Sequence, residues 1–115
     1  MRAMNYAHFQ ISIPGRLVAD AKRIVSDREL HLDVADLICD GTRRLLDLLD
    51  GKSPSEKWFV VQKYLPRFHE KVVKITVRMP PGLLDAADAV EGIDRDSVII
   101  AALALDLRTY DVTEE

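Results

Sequence analysis

With 115 residues, 48% of them hydrophobic and 30% charged, the chain has room for one ordinary domain or two very small ones. A formal net charge of −3 argues against bulk attraction to nucleic acid, and the single cysteine, Cys39, excludes an internal disulfide framework. The opening MRAMNYAHFQ lacks the apolar core of a signal peptide, and the longest apolar run, VIIAALAL from Val98 to Leu105, is too short to span a bilayer. A reducing cytoplasm with no membrane partner is the expected setting.

In chain order, the first element is an alternation. Phe9, Ile11 and Ile13 fall on one face and His8, Gln10 and Ser12 on the other, the period of a half-buried strand. Pro14 ends it, having no N–H to donate. Leu17, Val18, Ala21, Ile24 and Val25 then recur at helical spacing, predicting an amphipathic helix from about Gly15 to Asp27. A second helix is predicted with Asp33 as N-cap, Asp36 at its third position and Gly51 as its stop. Its apolar face is Val34, Leu37, Ile38, Gly41, Leu45 and Leu48. Gly41 in a helix interior is unfavourable by about 1 kcal/mol against alanine, a loss that close approach of another helix would offset.

Residues 51–70 read as a linker with a short helix bracketed by Pro54 and Pro66, carrying Trp58, Val61 and Leu65 on one side. Tryptophan is costly to leave in water, so Trp58 is expected to pack on the main body. The first pattern then returns. Val73, Ile75, Val77 and Met79 form the apolar face of a strand ending at Pro80, and Pro81 suits the first turn of a helix carrying Leu83, Leu84, Ala87 and Val90. After Gly92 a last helix begins, with Asp94 as N-cap and Ser97 at N3. The two copies, residues 1–50 and 71–115, are offset by 66 residues across strand and first helix (Ile11 with Val77, Leu17 with Leu83). Across the second helix the offset is 61 (Asp33 with Asp94, Leu37 with Val98). About five extra residues are expected in copy one near SDRELH, between its helices.

The order strand, helix, helix, twice over, resembles the ribbon-helix-helix family of Arc- and MetJ-type DNA-binding regulators. KITVRMPPGLLDAADAVEGIDRDSVIIAAL is the closer match, and FQISIPGRLVADAKRI matches in pattern without basic strand residues. The resemblance implies a mostly α fold with a two-stranded antiparallel ribbon. Because both units lie on one chain, it implies an intramolecular pseudo-dimer sharing one core. The physics agrees: one strand and two helices close no core, and fusion makes their pairing intramolecular.

Charge is distributed to match. Residues 1–14 and 71–79 hold Arg2, Lys71, Lys74 and Arg78 and no acid, leaving 12 basic against 19 acidic groups elsewhere. The resemblance implies double-stranded DNA as partner, with the ribbon in the major groove, where hydrogen-bonding patterns identify each base pair. Gln10, Ser12, Thr76 and Arg78 are the base-reading candidates; Lys74 suits a base edge or a phosphate. Arg95 and Ser97 at the second helix of copy two, with Lys71, are phosphate candidates. Asp94 and Ser97 equally suit plain helix capping. Asp33 and Asp36 would repel a phosphate, so copy one departs from the family pattern.

No cofactor or metal is expected: His8, His31 and His69 are scattered, Cys39 reads as a small core residue, and no nucleophile or phosphate loop is present, so an enzyme is not expected. Ile100, Leu103 and Leu107 need cover beyond one pseudo-dimer core, from Trp58 and Phe59 or from a second copy of the chain. Alternatives are a protein-interaction module of antitoxin or adaptor type, or an accessory factor in plasmid transfer or partition.

Overall fold

The computed structural model describes residues 6–27, 32–66 and 71–113. Arg2, His31, His69 and most of the SDRELH segment lie outside them. The elements run β1 (Ala7–Pro14), α1 (Gly15–Asp27), α2 (Val34–Leu49), α3 (Pro54–Tyr64), β2 (Val72–Met79), α4 (Pro81–Asp88) and α5 (Arg95–Thr113). The chain is mostly helical with one two-stranded antiparallel sheet. Among the described residues no helix is long and apolar enough to cross a membrane.

The ladder pairs His8 with Arg78, Gln10 with Thr76, Ser12 with Lys74 and, at its end, Pro14 with Val72. Alternation then sorts the side chains. Ile11, Ile13, Val77 and Met79 are buried against the helices, while Phe9 and Ile75 are half-buried. Val73, expected on the buried face, is 38% exposed although its cross-strand partner Ile13 is fully buried.

Several helix boundaries have a local cause. Asp33 and Asp36 form a reciprocal capping box at α2, and Ser53 and Glu56 form another at α3. At α5 the Asp94 carboxylate accepts hydrogen bonds from the Ser97 amide (3.1 Å) and hydroxyl (2.8 Å). Gly51 and Gly92 end the preceding helical segments with φ of 78° and 81°, a region glycine enters without strain. The described part of the first helix is longer in copy one, with 13 residues in α1 against 8 in α4. The SDRELH segment, where about five extra residues are expected, lies mostly outside the described residues.

The helices α2 and α5 cross at Gly41. A Cβ there would lie 2.8 Å from the carbonyl carbon of Ala102 and 3.1 Å from Cβ of Asp106. One apolar cluster joins the ribbon to α1, the first half of α2 and the middle of α5; the other joins the end of α2 to α3, α4 and the start of α5. Leu103 and Leu107 are buried in the first cluster and Ile100 packs on it, so this chain itself covers them, through residues of that cluster other than Trp58 and Phe59. Val61 and not Trp58 is the residue α3 buries, and Trp58 stays 44% exposed. Leu49 replaces Leu48 on the inner face of α2, Leu48 being 43% exposed.

Candidate functional site

The outer face of the ribbon carries three cross-strand rows: His8 with Arg78, Gln10 with Thr76, and Ser12 with Lys74. Successive rows on one face stand about 7 Å apart, so the face is about 14 Å long. Gln10, Ser12, Lys74 and Thr76 are exposed, and their side chains have no partner among the described residues. Lys71 is exposed just before β2, its carbonyl accepting a hydrogen bond from the Gly15 amide at 2.9 Å.

Arg78 stands apart from these. Its guanidinium donates to Asp33 at 2.9 Å and to Asp36 at 3.5 Å, and it lies 5.9 Å from the centre of the Tyr6 ring. The capping box of α2 thus serves twice: its carboxylates satisfy helix amides and also hold an arginine from the far strand. Partial burial works to raise the Asp33 pKa. Hydrogen bonds from the Asp36 amide and from Arg78 outweigh it and hold the carboxyl below its ordinary value. The same hydrogen bond to Asp33 pushes the Arg78 pKa above the usual arginine value. Sequence alone showed the acidic cap and the basic strand, but the two are 45 and 42 residues apart, and only the fold brings them together.

The phosphate candidates of copy two are also engaged. Arg95 reaches the Asp96 carboxylate at 3.2 Å and lies 4.6 Å from the centre of the Phe9 ring. Ser97 is occupied in capping with Asp94, whose carboxyl is held low chiefly by the Ser97 hydroxyl. Cys39 is buried, donates weakly to the Arg78 carbonyl at 3.5 Å, and has its thiol pKa pushed up by burial. No group of three or more potential metal ligands occurs among the described residues.

The end of the ribbon at Arg78 is therefore compensated by two carboxylates, while at the other end Lys74, beside Ser12, meets no carboxylate among the described residues. No family model, characterised protein or solved structure matches the chain.

Proposed function

We propose that the chain is two fused ribbon-helix-helix units and binds double-stranded DNA sequence-specifically, most simply as a transcriptional regulator, with the ribbon in the major groove. The observation that carries this reading is a coincidence between sequence offset and spatial pairing. Adding the strand offset of 66 to Gln10 gives Thr76, its partner across the ladder. Adding the second-helix offset of 61 to Gly41 gives Ala102, the residue its helix crosses. These two points, one in the ribbon and one at the helix crossing, support a two-fold relation between the copies. Burial repeats with it: Ile11 and Val77, Ile13 and Met79, Ala21 and Ala87, Leu37 and Val98, and Ile38 and Ile99 are all buried.

A pseudo-dimer of this kind leaves its ribbon's polar face outward, at a width the major groove accepts. Gln10 suits adenine N6 and N7, Ser12 and Thr76 are less selective, and Lys74 suits guanine or a phosphate. Unequal strands favour a non-palindromic site. Fluorescence anisotropy with duplexes selected from a random pool tests the reading. Lys74→Ala is expected to weaken binding about tenfold and to flatten the salt dependence by about one unit of slope. Absence of salt-dependent binding at low ionic strength, or an unchanged affinity in Lys74→Ala, contradicts it.

One observation favours a protein-interaction module as the second reading. Trp58 and Phe59 of α3 are 44% and 76% exposed, beside Leu65 and Pro66. Exposed aromatics at this level are common anchors for protein partners.

A further inference from the structure

We propose that Asp33 and Asp36 are specificity-determining residues which, by holding Arg78, withdraw the ribbon's only arginine from base reading, so that the duplex is read from the Gln10–Thr76 row toward the Ser12–Lys74 end. The proposal rests on the DNA-binding reading. It stands on the 2.9 Å and 3.5 Å contacts of Arg78 to the two carboxylates and on their place at the N-terminus of α2.

The contact acts in two ways. A guanidinium donating to carboxylates has fewer N–H groups free for guanine O6 and N7, and reaching a base requires leaving those partners. Departure of Arg78 also uncovers two negative charges beside the phosphate backbone, at a helix terminus that would otherwise favour an anion. The carboxylates therefore oppose the arginine in the free protein and penalise its release on DNA. At the other end Lys74 has no such opponent among the described residues, and its neighbour across the ladder is the uncharged Ser12. Position 78 marks the row where His8 and Arg78 face each other, so this row falls silent while the other two read.

The test is selection of bound duplexes from a random pool by the wild-type chain, by Arg78→Ala and by the double variant Asp33→Asn, Asp36→Asn. Asparagine remains a good N-cap, so α2 keeps its start, and circular dichroism checks the fold. The wild type and Arg78→Ala are expected to enrich the same base preferences. The double variant is expected to gain one further position with a guanine preference of roughly tenfold, and to bind its selected duplex more tightly. Loss of a base preference in Arg78→Ala overturns the proposal while leaving DNA binding intact, as does a double variant selecting the wild-type motif unchanged. Failure of every chain to enrich any duplex at low ionic strength overturns the DNA-binding reading itself, and the proposal with it.

Discussion

Gly41→Ala is expected to destabilise the chain by about 2 kcal/mol, the reverse of what helix propensity alone dictates. In an isolated helix the change is favourable by about 1 kcal/mol, because alanine loses less backbone entropy. Here the added methyl meets backbone: the carbonyl carbon of Ala102 lies 2.8 Å from the Cβ position, and the Asp106 Cβ 3.1 Å. Backbone cannot rotate aside as a long side chain does, so α2 and α5 must separate. Both flank a core in which Leu37, Ile38, Ile99 and Leu103 are fully buried. Against backbone this close the upper end of the usual overpacking range applies, about 3 kcal/mol, leaving a net loss of about 2 kcal/mol after the propensity gain of about 1. Chemical denaturation measures the difference, with Gly82→Ala as control. Nothing lies within 4 Å of a Cβ at Gly82, so that change should be neutral or slightly stabilising. A Gly41→Ala chain as stable as the wild type would mean that the two helices do not meet there.

Asp106 gives the second large effect. It is 1% exposed, sits on α5 near the same crossing, and has one oxygen, Oδ2, without a hydrogen-bond partner. Arg44 approaches the other oxygen at 3.6 Å while donating to Thr109 at 2.8 Å. Burial pushes the Asp106 pKa up to about 6, the Arg44 charge opposing and the Asp40 charge reinforcing the shift. The direction of the pH effect follows. Below about pH 4 the group is protonated in both folded and unfolded chains, and its favourable contribution is complete. As pH rises the unfolded chain ionises first, so this contribution declines and is gone above about pH 6. Two units correspond to about 3 kcal/mol. Asp106→Asn is therefore expected to gain stability relative to the wild type between pH 4 and 7 by up to about that amount. Urea titrations of both chains across this window isolate the group from the carboxyls of Asp33 and Asp94, whose low pKa values act in the opposite sense. A stability difference that does not change with pH would contradict a buried, titrating Asp106. In the proposed two-copy reading the offset of 61 matches Asp106 with Leu45, which is fully buried, so Asp106→Leu tests whether this side of the crossing tolerates an apolar residue.

The local structure was legible in the sequence because short-range chemistry fixes it. Period-two alternation around Phe9 and Ile75, the capping pairs at Asp33 and Asp94, and the stops at Gly51 and Gly92 each depend on a few neighbouring residues. The glycine at 41 was legible as a close approach, since an interior helix glycine needs a reason. What escaped depends on which residues meet at long range. Trp58 and Val61 share a helix face by spacing, yet α3 turns Val61 inward. Leu48 and Leu49 both fit an apolar stripe, and only the angle at which α2 meets its neighbours separates them. The greater length of α1 over α4 follows from apolar residues kept at helical spacing through Ile24 and Val25. For the candidate site, the polar ribbon face was legible down to individual positions. The hold of Asp33 and Asp36 on Arg78 was not, because no local pattern links a cap to a strand so far along the chain.

The most direct test of the central claim is to titrate a selected DNA duplex into the isotope-labelled chain and follow its backbone amide resonances. The account predicts shifts concentrated at residues 8–12 and 74–78, strongest around Gln10, Ser12, Lys74 and Thr76, and weakening as salt is raised. Shifts confined to the Trp58 and Phe59 face of α3, with the ribbon unmoved, would contradict it.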